Sequence, residues 1–282
     1  MNMTYLDITE QVHTLLAAAG IENAAVEAEN LVIEMLGISR NEYSLGKIMQ
    51  KKLDVQQQTL IRKAAEKRAE HYPLQYITSK AYFRNLVLEV NCNVLIPRFE
   101  TEILVDEVLK NIPRSGTLLD VGTGSGTIAV SCAVERPDIS VTAVDVSEKA
   151  LETAQRNAEK YNVENIVFLQ SDLACEIPEK QKFDVVAANL PYVTLEEYAS
   201  LQEEVRRYEP QLALTAENDG LELIYRLCDD LDRLLNPDGY AVFEMSPPQT
   251  GTVKEYLENL GFASEIINDY TGRSRFVTAR KR

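Results

Sequence analysis

Leu118-Leu119-Asp120-Val121-Gly122-Thr123-Gly124-Ser125-Gly126 is an apolar run that ends in an acid and three alternate glycines. Glycine permits positive φ and lets a ligand approach the main chain closely. A dinucleotide fingerprint needs a glycine at 127, where this chain has Thr127, and the Lys-[Ser/Thr] of a P-loop is missing. Gly122, Thr123, Gly124, Ser125 and Gly126 therefore form a candidate binding loop without a phosphate grip. Two acids follow at the ends of later apolar runs. Asp145 stands 25 residues beyond Asp120, and a carboxylate there can accept both hydrogen bonds of a ribose diol. Asp172, in Gln170-Ser171-Asp172-Leu173, can receive an adenine amino group. A glycine turn with no ligand is the competing reading of the loop alone. The acids after it favour a site.

These residues need elements to hold them. From 117 onward, strand patterns at 117–121, 141–145, 166–170, 184–188, 240–244, 262–267 and 275–279 alternate with helix patterns at 126–134, 148–161, 196–206, 220–235 and 249–260. Such alternation predicts an α/β fold with a mostly parallel seven-stranded sheet covered on both faces. The last two strands leave no room for a crossover helix and should form an antiparallel hairpin. In open sheets of this kind, ligands bind beyond the carboxyl ends of the strands, where the glycine loop lies. Residues 1–70 read as helix, with Leu15, Leu16, Ala19, Ala28, Leu31, Val32 and Met35 at helical spacing and no proline before Pro73. His71-Tyr72-Pro73 should end that bundle, because the residue before proline resists helix. Residues 81–90 read as two short strands around Arg84-Asn85. The expected organisation is a helical domain over 1–72, a β-hairpin connector over 73–100 and an α/β domain over 101–282.

The glycine loop and its following acids are similar to the S-adenosylmethionine site of class I methyltransferases, a Rossmann-like fold in which Asp-x-Gly-x-Gly-x-Gly recurs. That cofactor is cationic at sulfur and carries no phosphate, which suits an acidic site. The resemblance implies that Gly122 to Gly126, Asp145, Asp172, Leu173 and Asn189 hold S-adenosylmethionine and its product S-adenosylhomocysteine. The fourth strand, Phe183-Asp184-Val185-Val186-Ala187-Ala188, ends in Asn189-Leu190-Pro191-Tyr192. This resembles the Asn-Pro-Pro-Tyr motif of methyltransferases that modify planar amide or amine nitrogens. An amide nitrogen is a poor nucleophile, and acceptors on both of its N–H groups stabilise the positive charge that develops on methyl transfer. The implied roles are Asn189 Oδ1 and the Leu190 carbonyl as acceptors, Tyr192 stacking on the flat group, and Pro191 stiffening the turn. Leu190 stands where that motif has its first proline.

The likeness spans nearly the whole chain, which resembles the PrmC/HemK family, the release-factor glutamine methyltransferases. It rests on Pro73-Leu74-Gln75-Tyr76-Ile77, on 94–102 (Val-Leu-Ile-Pro-Arg-Phe-Glu-Thr-Glu), on Asp120 to Gly126, on Asn189 to Tyr192, on 208–214, on Asn218-Asp219-Gly220-Leu221 and on 269–275. Phe99 replaces a usual proline, and Glu244-Met245-Ser246 stands where Glu-Ile-Gly is usual. The resemblance implies methylation of N5 of the glutamine in the Gly-Gly-Gln motif of class-1 peptide chain release factors. The helical domain would hold that protein partner, without metal or general base. Arg98 and Glu100 either line the mouth of the site or form a surface ion pair, and Tyr208-Glu209-Pro210 should order a wall of it. The competing functions are ribosomal-protein glutamine methylation, nucleic-acid adenine N6 methylation and non-catalytic cofactor binding.

Composition bears on the partners. The 282 residues carry 29 Lys+Arg and 44 Asp+Glu, a net charge of −15. Of this, −2 falls in residues 1–72 and −13 in the remainder. A general nucleic-acid binder needs a positive footprint, so sequence-specific nucleic-acid binding is not expected. No run approaches a membrane span, and the N-terminus lacks a secretory pattern. Cys92, Cys132, Cys175 and Cys228 are scattered and His13 and His71 are far apart, which predicts reduced thiols and no metal site. The sequence reads as a cytoplasmic monomer.

Overall fold

The computed structural model describes residues 3–281. The chain forms two compact units: one runs to Ser79 and also takes in Gln202–Tyr208, and the other comprises Lys80–Leu201 and the residues from Glu209 onward.

The first unit contains α1 (Tyr5–Ala18), α2 (Ala24–Leu36), α3 (Arg40–Ile48), α4 (Val55–Ala69) and α5 (Leu74–Thr78). Reciprocal capping boxes open three of these helices, from Thr4 to Asp7, Ser39 to Glu42 and Asp54 to Gln57. A side chain and a main-chain N–H are satisfied at each, which stabilises a helix start by about 1 kcal/mol. Ile8, Val12, Leu16, Leu31, Val32 and Ile61 meet in the interior. The helix restarts after Pro73, and Leu74 and Ile77 of α5 pack on that interior, so this unit extends beyond residue 72.

The second unit begins with the hairpin of β1 (Lys80–Phe83) and β2 (Leu86–Glu89), joined through Arg84 at φ 50°. There follow α6 (Thr101–Asn111), β3 (Thr117–Val121), α7 (Thr127–Glu135), β4 (Ser140–Asp145), α8 (Glu148–Lys160), β5 (Ile166–Gln170), β6 (Phe183–Ala188) and α9 (Leu195–Ser200). After α10 (Glu203–Tyr208), which belongs to the helical unit, come α11 (Glu222–Leu234), β7 (Leu235–Glu244), α12 (Thr250–Asn259), β8 (Ala263–Asn268) and β9 (Ser274–Arg280). The helix predicted over 196–206 is thus two helices. Ser200 Oγ donates to the Glu197 carbonyl, Leu201 is extended, and the two halves lie in different units.

The sheet order is β5-β4-β3-β6-β7-β9-β8, parallel from β5 to β7 and antiparallel at β9 and β8. This is the predicted seven-stranded sheet with its C-terminal antiparallel pair. Alternate strand residues serve opposite faces. Leu119, Val121 and Val186 join Ile224, Leu231, Val253 and Leu257 on one side. Leu118, Val185 and Ala187 join Leu104, Val108, Ile128 and the hairpin residues Phe83 and Leu88 on the other. No described helix is long and apolar enough to cross a membrane. Cys132 and Cys228 are buried, Cys92 and Cys175 are exposed, and all four are free thiols.

Candidate active site

The strand order reverses at β3. From there the chain winds outward through β4 and β5 and returns to the other side at β6. Open sheets bind ligands at such a switch point. Val121 of β3 pairs with Ala188 of β6, so Gly122 and Asn189, each one residue further on, leave the sheet side by side. A cavity of about 460 Å³ opens there, lined by Gly122 to Ser125 of the glycine loop, Asp145, Asp172, Leu173, Asn189, Leu190 and Pro191. Pro97, Arg98, Thr101 and Pro210 are also in its wall.

The loop is built to present main chain. Gly122, Gly124 and Gly126 have φ of 75°, 58° and 80°. A Cβ on Gly122 would lie 2.9 Å from Leu190 Cδ2, so the glycine permits the close approach of the two strand ends. The loop's hydroxyls are occupied internally. Thr123 Oγ1 donates to Asp120 Oδ2 (2.7 Å), and Ser125 Oγ pairs with Thr127 Oγ1 (2.8 Å). Asn157 braces the loop from α8, donating to the Ser125 and Glu89 carbonyls and accepting from the Glu89 N–H. Asp120 also accepts from the Ala129 N–H, but its Oδ1 is buried with no partner. Burial, opposed by those hydrogen bonds and reinforced by the Asp145 charge, pushes its carboxyl up to about 7.

Asp145 accepts from the Gly124 N–H on Oδ2 and the Ser147 N–H on Oδ1, each at 2.9 Å. Burial raises its pKa against those bonds. Asp145 lines the cavity. Asp172 lines the cavity too, but its carboxylate is 2.6 Å from Arg226 Nη2 in an exposed ion pair. The sequence held no sign of that partner. Leu173 takes φ 49°, an uncommon conformation for a branched side chain.

At the tip of β6, Asn189 Nδ2 donates to Thr101 Oγ1 at 3.1 Å, and Thr101 Oγ1 donates to Glu244 Oε2 at 2.7 Å. Within the described residues nothing donates to Asn189 Oδ1 or to the Leu190 carbonyl. The Leu190 side chain is buried against the core. Glu244 is 1% exposed, and burial pushes its carboxyl up to about 7 despite the Thr101 hydroxyl and the Arg275 charge. Of the predicted site residues, the cavity wall omits Gly126 and Tyr192. The pKa of Tyr192 is pushed up to about 12 by burial and the Glu244 charge. Gln249 Nε2 fixes the turn behind Tyr192, donating to the Tyr192 carbonyl (2.9 Å) and the Asp219 carbonyl (2.8 Å). A Cβ on the neighbouring Gly220 would strike the Tyr192 main chain.

Arg98 lines the cavity, whereas Glu100 does not. The partner of Arg98 is Glu209, whose Oε1 lies 2.6 Å from Nη2, while Oε2 accepts from the Ile96 N–H. The Glu209 side chain is 1% exposed, so this is a buried brace of the wall and not a surface pair.

Comparison with known proteins decides the family. Residues 7–78 match the PrmC N-terminal domain and residues 99–207 the Methyltransferase small domain. The chain is 35% identical to the release factor glutamine methyltransferase of Bacillus subtilis, over 98% of this chain and 97% of that one. The Rhodopirellula baltica protein of the same name is 35% identical over 99% and 96%. This chain belongs to the release factor glutamine methyltransferase family. As a methyltransferase it shares its fold with a methyltransferase from Pyrococcus furiosus (24% identity, TM-score 0.53, covering 70% of this chain and 89% of that one). Four positions of this family member that support the site, Thr101, Asn157, Glu244 and Gln249, had no role assigned from sequence. Thr101 does lie in a segment that carried the resemblance, and Glu244 opens the Glu244-Met245-Ser246 stretch that departs from it.

Proposed function

We propose that this methyltransferase takes the methyl group of S-adenosylmethionine and places it on N5 of the glutamine in the Gly-Gly-Gln motif of class-1 peptide chain release factors. One observation carries the reading: Asn189 lines the cavity beside the glycine loop, with its Nδ2 engaged by Thr101 and its Oδ1 without a partner among the described residues. The names of the relatives, release factor glutamine methyltransferases of several bacteria, support the choice of substrate.

The residues present fit the cofactor. The loop offers main chain without a phosphate grip, Asp145 has acceptor capacity for a ribose diol, and the acids suit a sulfonium. When bound, the cofactor supplies an electrophilic methyl group on a cationic sulfur. The chain does the rest by position. Gly122 to Gly126, Asp145, Asp172 and Leu173 hold the cofactor. Asn189 Oδ1 and the Leu190 carbonyl each accept one N–H of the substrate amide, aim its nitrogen and stabilise the charge that grows on it. Pro191 fixes the direction of the Leu190 carbonyl. Tyr192, outside the cavity wall, steadies the turn and borders the approach of the substrate peptide. The proton leaves after transfer, because the methylated amide is strongly acidic until then, so no base is needed. The helical unit engages the release factor, which is a cytoplasmic partner.

The test offers labelled cofactor with a mixed pool of release factor, ribosomal protein and DNA. Label should enter the release factor at one glutamine and vanish when that glutamine is changed to alanine. Unchanged labelling of the altered factor, or label in the DNA, would overturn the assignment.

A further inference from the structure

We infer that Glu244 and Thr101 are positioning residues that set which end of the Asn189 amide faces the substrate. The inference rests on the proposal that Asn189 receives the glutamine amide. A threonine hydroxyl has one proton to give and lone pairs to accept with. Ionised, Glu244 can only accept, so its Oε2, 2.7 Å from Thr101 Oγ1, takes that proton. Thr101 Oγ1 must then act as acceptor toward Asn189, and the end of the amide 3.1 Å away must be the NH₂. The oxygen is left for the cavity. The two ends of an asparagine amide have nearly the same shape, so nothing steric makes this choice. It is made by the direction of two hydrogen bonds that link β7, the start of α6 and the tip of β6.

The direction is reversible. A protonated Glu244 can donate to Thr101 Oγ1, whose own proton is then free for Asn189. The amide turns to accept it, and its NH₂ meets the NH₂ of the substrate, where neither can accept. The groups facing Glu244 are the Thr101 hydroxyl of α6, Arg275 of β9, Arg98 and Glu100 ahead of α6, and Tyr192 after β6. Arg98 and Arg275 favour the ionised form, while burial and Glu100 oppose it, and the carboxyl is brought to about 7. Arg275 Nε makes no hydrogen bond and lies 3.6 Å from Asp269 Oδ2, so Arg275 acts on Glu244 as a charge that Asp269 partly offsets. Methyl transfer should accordingly decline as pH falls through neutrality, with cofactor binding little changed.

The experiment measures methyl transfer to release factor between pH 6 and 9 for the wild type, T101V, T101S, E244Q and N189A. T101V keeps the shape and loses the hydroxyl, and its kcat should drop roughly 100-fold with KM within about threefold. T101S restores the hydroxyl and should recover the rate to within about threefold of wild type. E244Q should lose the acid limb of the kcat profile. In parallel, the Asn189 side-chain NH₂ resonances of the wild type should shift with pH at the Glu244 midpoint, and T101V should abolish that shift. This readout needs no turnover. Should the wild type label no release factor, or N189A label it normally, the functional reading fails while the resonances still decide the inference. T101V turning over like wild type, an acid limb unchanged in E244Q, or Asn189 resonances that ignore pH would each overturn it.

Discussion

Glu209 lets the wall of the cavity be tested quantitatively. Its carboxylate holds Arg98 at 2.6 Å and the Ile96 N–H at 3.0 Å, with the acid side chain 1% and the arginine 33% exposed. Changing Glu209 to alanine leaves both donors without an acceptor. Breaking a buried pair costs about 3–5 kcal/mol. The partial exposure of Arg98 lets water recover part of that, which leaves about 3 kcal/mol for E209A. E209Q keeps an oxygen for the Ile96 N–H but turns an NH₂ toward Arg98, losing that hydrogen bond with the charge attraction while the part-exposed guanidinium turns to water, so it should cost about 2 kcal/mol. With no tryptophan in the chain, far-ultraviolet circular dichroism in urea is the suitable assay. At a slope of about 2–3 kcal/mol per molar, E209A should lower the midpoint of the α/β unit by about 1 M. Pro97, Arg98 and Pro210 share the cavity wall, so cofactor affinity should weaken in the same order, alanine more than glutamine. Equal midpoints for the two variants, or an E209A midpoint at the wild-type value, would refute the reasoning that this pair braces the site.

Three further outcomes follow from the geometry. N189A should lower kcat by about 10²–10³-fold, as loss of one preorganised acceptor does, while calorimetry finds cofactor affinity within a few-fold of wild type. N157A strips the Ser125 carbonyl of its brace and both Glu89 main-chain groups of their partner; it should cost about 2–3 kcal/mol in urea unfolding and weaken cofactor binding. Asp120 titrates near 7 in the fold against an ordinary 3.8. The folded state then binds the extra proton between those values, so its contribution is present below pH 4 and is lost as pH rises through 7. The full loss is about 4 kcal/mol. D120N should remove that slope, seen as urea midpoints that separate from wild type at pH 8 and converge toward pH 5; parallel curves would contradict it.

What the sequence revealed and what it hid differ in physical range. The glycine loop and Asn189 could be read from local pattern, because strand ends in a parallel sheet bring such residues to one edge. The helical texture of residues 1–70 and the terminal hairpin were legible for the same reason: periodicity is local. Thr101 and Glu244 are separated by 143 residues, and Asn189 by 88 from Thr101. No spacing rule links them. The Arg226 partner of Asp172 was hidden likewise, since an exposed charge on α11 has no signature of its target. The predicted helix over 196–206 failed because its pattern runs across the boundary of two units at Leu201.

The short segment Gln202–Tyr208 limits how the molecule can be dissected. Its Tyr208 hydroxyl donates to the Glu70 carbonyl, its ring meets Tyr72 edge-on at 4.9 Å, and Glu204 pairs with Arg68 at 2.8 Å. A fragment begun at Lys80 would keep this stretch yet lose the surface on which it rests. It would carry a stranded aromatic ring and an acid without its counter-ion. Truncation at that point therefore does not yield a clean catalytic half. Excising 202–208 together with the leading helices, and bridging Leu201 to Glu209 with a flexible linker, is the cut that respects the way the polypeptide is woven.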